Sequence, residues 1–239
     1  MKIFTDRLPA FPKTPHLPYK PNADASDIIA EDVCLNEGFI CVEEKIDGAS
    51  VGITLDDEGN PLIRNRDHIL KKGYVKKETT AKKQFRPLWN YYYDNRCAFQ
   101  SILMEGPFAI YGEWMWVQHG IHYTSLPDWF IPYDIYDYEK GVFFSPLTSR
   151  RLLTDAGFHC PHLIYQGDAA TIVLQYKDFE VWANQPAQWA KGKAEGVYVK
   201  IHNTEIIQHR YKMVREDFVR GAFWDNKELK KNEVVHQGT

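Results

Sequence analysis

The stretch Val42-Glu43-Glu44-Lys45-Ile46-Asp47-Gly48-Ala49-Ser50 decides how this chain is read. On either side of its lysine, Phe39 to Glu44 and Ser50 to Asp56 carry the composition of strands. Asp57-Glu58-Gly59-Asn60 is a turn before a third strand, Pro61 to Arg66. The pattern predicts antiparallel hairpins with Lys45 at or near a strand end. A lysine amine is a nucleophile only when deprotonated, and its ordinary pKa of ~10.4 forbids that at neutral pH. A nearby cation such as Arg210, Lys212 or a bound metal, together with partial burial, would lower it. Asp47 would share the lysine's strand face if the strand continued, and Gly48 lets the backbone turn. Alone, Lys-x-Asp-Gly reads as a surface lysine before a turn. Its weight comes from the motifs downstream of it.

Farther along, Lys76 to Met104 turns helical, with Phe85, Leu88, Tyr92, Phe99, Ile102 and Leu103 as a core-facing stripe. Pro87 splits this segment or opens its second part. Ala109 to Trp116 and Trp129 to Tyr138 read as strands. Ser145-Pro146 reads as a cap and first helical residue of a helix ending near Ala156, and Asp168 as the cap of another ending near Tyr176. Val197 to Ile201 and Glu205 to Tyr211 form a hairpin around His202-Asn203-Thr204, and a last helix starts near Arg215. Strands interrupted by separate helices, without regular alternation, argue α+β. Residues 1–38, rich in proline, are expected as an irregular segment packed on the body.

The length suits one substantial core. No apolar run approaches the ~18 residues of a membrane helix, and the first residues lack an apolar signal core. The reading is therefore a soluble, cytoplasmic protein that needs no membrane, with Cys34, Cys41, Cys97 and Cys160 as reduced thiols. His159 and His162 flank Cys160 at a spacing that fits no zinc pattern. A net charge of −3 argues against coating nucleic acid through bulk charge. Yet Arg64 to Arg86 holds nine basic residues against Asp67 and Glu78, one basic face that would steer a polyanion. A solvated lysine-rich surface is the plainer alternative.

After Lys45 come, in order, Tyr111-Gly112-Glu113-Trp114, Phe130-Ile131-Pro132-Tyr133-Asp134, Glu195-Gly196-Val197-Tyr198-Val199-Lys200 and Arg210-Tyr211-Lys212. Together these resemble the ordered motifs of the covalent nucleotidyltransferase superfamily of polynucleotide ligases and RNA-capping enzymes. The stretch from Tyr111 to Asp137, with Ser125-Leu126-Pro127, is most similar to the ATP-dependent RNA ligase branch. Gln118 and Gly120 stand where that branch has lysine and serine, and Arg210 where its last motif has lysine.

The resemblance covers about residues 11–220 and implies an α+β nucleotidyltransferase domain with antiparallel sheets flanked by helices and the active site between them. It implies one domain over 1–239. The 27 residues after Lys212 are too few for an OB-fold, a five-stranded barrel. The implied catalytic set is Lys45, Asp47, Arg66, Glu113, Glu195 and Lys212. Lys45 would carry AMP, and Glu44 would read the adenine amine, favouring ATP over GTP. Arg66, with Arg64 as second choice, would fork onto phosphate. Glu113 would meet the ribose or metal-bound water. Asp47, Glu113 and Glu195 would hold a hydrated Mg²⁺ or Mn²⁺. Lys200, Arg210 and Lys212 would face phosphates, with Lys212 on the α-phosphate. Phe130 is the candidate for stacking on the base, with core packing as the alternative; His119 is a candidate substrate contact.

The implied activity joins 5′-phosphate and 3′-hydroxyl RNA ends through lysyl-AMP and an adenylylated 5′ end. Its partners are ATP and nucleic acid (RNA ends or a nicked duplex), with a protein partner possible for substrate clamping. A DNA nick ligase, a GTP-using capping enzyme and a non-catalytic end-binding module are the alternatives.

Overall fold

A computed structural model of the chain describes residues 7–19, 22–72, 83–171, 174–219, 221 and 229–235. Among the described residues, nine strands form two antiparallel sheets. The first contains β1 (Phe39–Lys45), β7 (Leu163–Asp168), β8 (Gly196–His202) and β9 (Ile207–Val214) in the order β7-β1-β8-β9. The second contains β2 (Ala49–Leu55), β3 (Pro61–Asn65), β4 (Phe108–Trp114), β5 (Phe130–Asp137) and β6 (Val142–Phe143) in the order β3-β2-β4-β5-β6. Four helices are described: α1 (Arg86–Asp94), α2 (Arg96–Leu103), α3 (Pro146–Asp155) and α4 (Tyr176–Ala183). This is an α+β architecture of two antiparallel sheets with flanking helices.

Period-two alternation sorts each strand between a helix-covered face and an inter-sheet face. Ile40 and Val42 of β1, with Val197, Val199 and Ile201 of β8, pack on Phe179 and Ala183 of α4. Val51, Ile53, Ile110, Trp114 and Phe130 pack on Leu88, Tyr91, Tyr92, Phe99 and Leu153 from α1, α2 and α3. The opposite parity supplies Cys41, Glu43, Lys45, Tyr198, Lys200, Arg210 and Lys212 from one sheet, and Ser50, Tyr111, Glu113 and Tyr133 from the other. The space between the sheets is thus lined with polar and charged groups. One apolar patch, Leu8 and Ala109 with the rings of Tyr111 and Tyr133, closes it on one side.

The proline-rich N-terminal segment packs on this body through backbone bonds. Leu17 N and Lys212 O, and Lys212 N and Pro15 O, are each 2.9 Å apart, and Arg64 Nη1 donates to Leu8 O at 2.8 Å. Ser145 caps α3 by accepting from Thr148 N at 3.3 Å, with Pro146 as the first helical residue.

Several elements differ from the sequence expectation. Asp168 ends β7 instead of capping an α-helix; a 3₁₀ turn, Ala169–Thr171, comes directly after it. The helix there, α4, starts at Tyr176 behind a Gln175/Asp178 capping box. Strand β7 was hidden because its half-exposed face breaks the apolar alternation. Arg215 to Val219 form a turn, and most of the helix expected after Arg215 lies outside the described residues, as do residues 76–82 of the first helical segment. All four cysteines are free thiols, Cys41 and Cys160 buried and Cys97 exposed. Among the described residues no helix is long and apolar enough to cross a membrane.

Candidate active site

A cavity of about 590 Å³ opens between the sheets at the C-terminal end of β1. Lys45, Arg66, Glu113, Glu195 and Lys212, five of the sequence-predicted residues, line it. Lys45, the last residue of β1, pairs across the sheet with Gly196, so Glu195 stands beside it. The Lys45 Nζ to Glu195 Oε2 distance is 2.5 Å, and the Tyr198 ring centroid lies 5.4 Å from Nζ. Gly196 is required here, since a Cβ would fall 2.0 Å from Met213 O on β9.

The lysine's charge state differs from the sequence expectation. Burial alone would lower its pKa, but the Glu195 carboxylate, aided by Tyr198 and Glu113, holds it above the ordinary lysine value. The expected neighbouring cations are engaged elsewhere. Lys212 Nζ meets Asp27 Oδ1 at 2.8 Å, and Arg210 Nη2 meets Asp134 Oδ2 at 3.0 Å. Lys45 is thus held as a protonated ammonium in an ion pair.

Glu113, buried in β4, is pushed up to about 8, first by burial and then by Glu195 and Asp47, against the opposing pull of Lys45. Its Oε2 has no hydrogen-bond partner among the described residues. A buried carboxyl oxygen without a partner is costly and marks a position awaiting one. Asp47 is committed differently: its Oδ2 accepts from Gly120 N at 2.5 Å and Ile121 N at 2.9 Å. Among the described residues, no group of three or more His, Cys, Asp or Glu side chains is gathered closely enough to hold a metal. Asp47, Glu113 and Glu195 therefore do not form a ready-made cage. The residue types and the unpartnered Glu113 oxygen still fit one divalent cation held by Glu113 and Glu195, with water completing its shell, as suits Mg²⁺ or Mn²⁺.

Other candidates do not line the cavity. Lys200 is 2% exposed, with Nζ 2.5 Å from Glu43 Oε2 and 2.9 Å from Asp134 Oδ1. It shares a face with Tyr198 but sits one strand step deeper, where a buried ammonium needs carboxylates around it. Arg210 joins the same network, its guanidinium 4.1 Å from the Phe143 ring centroid. Arg64 is tied to three backbone carbonyls, those of Leu8, Asn65 and Arg66, which leaves the exposed Arg66 as the arginine of the cavity. Alternation points Glu44 to the helix-covered face of β1, where Gln188 N donates to its Oε2 at 3.0 Å. Burial raises its pKa to about 7. Phe130 packs on Phe99 and Phe158 in the core, at centroid distances of 5.8 and 6.3 Å.

The rings that do line the cavity are Phe11, Phe85, Tyr133 and Tyr198. Tyr133 and Tyr198 face each other across the sheets at 6.3 Å between centroids. Tyr198 has the parity of Lys200 two residues on, so alternation along β8 could have found it; Tyr133 lies on β5, past the bulge in its pairing with β4, where counting along one strand does not reach. His119 also lines the cavity; burial lowers its pKa to about 4, leaving a neutral imidazole whose Nε2 is 3.2 Å from Gln84 Oε1. Asp27, Lys13 and Thr14 reach the cavity from the N-terminal segment, and no local sequence pattern marks them.

Gly120 stands where the resemblance leads one to expect serine. A Cβ there would lie 2.7 Å from Phe218 Cζ and 3.0 Å from Asp47 Oδ2, so this loop is built around a glycine.

No curated protein matches the chain. Among solved structures, an apo mutant of Naegleria gruberi RNA ligase superposes with a TM-score of 0.54 at 16% identity, covering 75% of this chain and 50% of that one. Two further mutants of the same ligase, each with ATP and Mn, give TM-scores of 0.53 at 18% and 19% identity, covering 75% and 76% of this chain. This chain spans about half the length of those proteins. The family model described as RNA ligase matches residues 38–214, a span running from β1 to the end of β9 and holding Lys45, Glu113, Glu195 and Lys212, and by that match the chain belongs to the RNA ligase family.

Proposed function

We propose that this chain is an ATP-dependent RNA ligase acting through a covalent lysyl-AMP on Lys45. The observation that carries the reading is the pair of Lys45 with Glu195 in an inter-sheet cavity beside Glu113, a buried carboxyl with an unpartnered oxygen. A divalent cation bound by Glu113 and Glu195 would supply charge neutralisation for phosphoryl chemistry. With Glu195 so engaged, Lys45 would lose the carboxylate that holds its proton, desolvation would favour the neutral amine, and the proton would pass to water in the open cavity.

The lysine Nζ then forms a bond to the α-phosphorus of ATP as the bond to the bridging oxygen breaks and pyrophosphate leaves. A 5′-phosphate oxygen of RNA displaces Nζ from that phosphorus, giving an adenylylated end. A 3′-hydroxyl attacks the 5′-phosphorus and releases AMP. Arg66 and Lys212 neutralise charge on the transferred phosphate. Tyr133 and Tyr198, rather than Phe130, flank the base. With Glu44 turned away, the case for adenine rests on the likeness to an RNA ligase bound to ATP and Mn. Arg66 lines the cavity, and Lys71, Lys72 and Lys83, exposed in the chain between β3 and α1, suit an RNA backbone. Lys76, Lys77 and Lys82 of that basic run lie outside the described residues.

The test is incubation with α-labelled ATP or GTP and magnesium or manganese, followed by denaturing electrophoresis of wild type and Lys45→Ala. Label from ATP on the wild type alone supports the reading, and sealing of RNA but not DNA nicks then supports the substrate. Label from GTP would make it a capping-type enzyme. No label on folded protein that carries no AMP beforehand would leave an end-binding module.

A further inference from the structure

The loop that carries His119 is gripped from its far side by residues 229–235, which lie beyond the segment matched by the family model. Gln118 N donates to Lys230 O at 2.9 Å, Leu126 N to Glu233 O at 3.0 Å, and Glu233 N to Tyr123 O at 2.9 Å. Val117 and Lys231 form an antiparallel bridge. Asn232 sits at the centre of this strap and is 3% exposed. Its Nδ2 donates to Met115 O at 2.7 Å and Val117 O at 3.2 Å, and its Oδ1 accepts from Tyr123 N at 3.0 Å. Both amide hydrogens and the amide oxygen are used, so the position is specific for asparagine. Aspartate would lose both donors, and alanine would leave Met115 O and Tyr123 N without partners.

The same loop holds the lysine turn on its other side. Asp47 N donates to Tyr123 Oη at 2.9 Å, and Gly120 N and Ile121 N donate back to Asp47 Oδ2. Three layers are thus bonded in series: the strap, the loop 115–126, and the turn Lys45–Gly48. Lys45 is the last residue of β1, and Asp47, two residues on, is bonded to the loop through both its backbone N and its carboxylate.

We propose that Asn232 is a positioning residue for the nucleophile. It fixes the loop, the loop fixes Asp47 and His119, and Asp47 fixes the turn from which Lys45 reaches into the cavity. The inference rests on the nucleotidyl-transfer reading above. Its physical basis is that a displacement of about 1 Å at a reacting group can cost about 100-fold in rate.

The experiment compares wild type, Asn232→Ala, Tyr123→Phe and the double variant in the full chain, well below their unfolding midpoints. For Asn232→Ala, the maximal rate of self-labelling from ATP is expected to fall about tenfold, with the KM for ATP changed less than about twofold. In the Tyr123→Phe background, where the bond from Asp47 N to the residue that Asn232 holds is already cut, the same change is expected to cost less than about threefold. Amide exchange at Gly120 and Ile121 should quicken at least about tenfold while β8 is unaffected. An unchanged maximal rate, or fully additive losses, would mean a purely structural role and overturn the proposal. Should Asn232→Ala not fold, Tyr123→Phe carries the test through the same rate and the same two amides. Should the wild type itself take no label, the ligase reading fails, and unchanged exchange at Gly120 and Ile121 would separately overturn the strap.

Discussion

The polar row between the sheets has two ends made of the same residue types, and they behave in opposite ways. At the buried end, Lys200 and Arg150 hold Glu43 while Lys200 and Arg210 hold Asp134. Burial would raise the Glu43 pKa, but Lys200 and Arg150 outweigh it and bring it below the ordinary value. At the open end, Lys45 has one short partner, Glu195, while Glu113 stays raised with an oxygen unsatisfied. One end is electrostatically closed and reads as architecture. The other is incomplete and reads as a place for a cation and a polyphosphate. Charge and burial alone do not separate the two; compensation does.

The largest effect that would test this contrast is chemical. Lys45→Met should reduce self-labelling by at least about 10³-fold, measured with α-labelled ATP, because no other cavity lysine replaces the nucleophile. The same change should cost less stability than loss of Lys200, since Lys45 pairs with one carboxylate and Lys200 with two. Lys200→Met should do the reverse, costing about 3–5 kcal/mol in chemical denaturation by stranding Glu43 and Asp134. Equal losses for both lysines would erase the distinction between the ends.

A second pair sharpens the assignment of rings. Phe130→Ala should lose about 3–5 kcal/mol of stability as a core truncation. Tyr133→Ala should instead raise the KM for ATP about tenfold, the order expected for one lost base-stacking contact.

The open end should also titrate. Glu113 binds a proton more tightly in the folded chain than in the unfolded one, where a glutamate has a pKa of ~4.3. Its contribution to stability is therefore fully present below that unfolded value and is lost as pH rises through about 8. The proton must leave before the carboxylate can take a cation, so divalent-ion affinity should climb up to tenfold per pH unit, by roughly this order, and level off near pH 8. Glu113→Gln should flatten both profiles; calorimetric titration of Mn²⁺ across pH 6–9 on wild type and variant, roughly at unit intervals, checks it. The smallest effect concerns the rim: Lys71→Ala and Lys72→Ala should each weaken RNA binding by only a few-fold, lower the salt slope by about 1, and spare self-labelling.

Much of the architecture was legible because strand chemistry is local. The runs around Lys45, the Asp57–Asn60 turn, the Ser145-Pro146 cap and the hairpin at His202–Thr204 each fall where their residues predict. What the pattern missed were elements stabilised by neighbours rather than by their own composition. Strand β7 is half-exposed and exists because β1 offers it an edge, and β6 spans only two residues.

The sequence by itself determined the candidate polar side chains and their alternation along strands: Lys45, Glu113, Glu195 and Lys212 sit in motifs that the fold brings to one cavity. Only the tertiary structure decided which of them share a cavity. Lys200 and Arg210 lie on the correct face yet one step too deep, Glu44 and Phe130 have the wrong parity, and Arg64 is consumed by backbone carbonyls. Asp27, which lines the cavity, and Asn232, which holds the neighbouring loop, come from segments distant in sequence that backbone hydrogen bonds bring there. Depth along a strand and the pairing of charges are three-dimensional quantities, and a linear pattern of residues does not encode them.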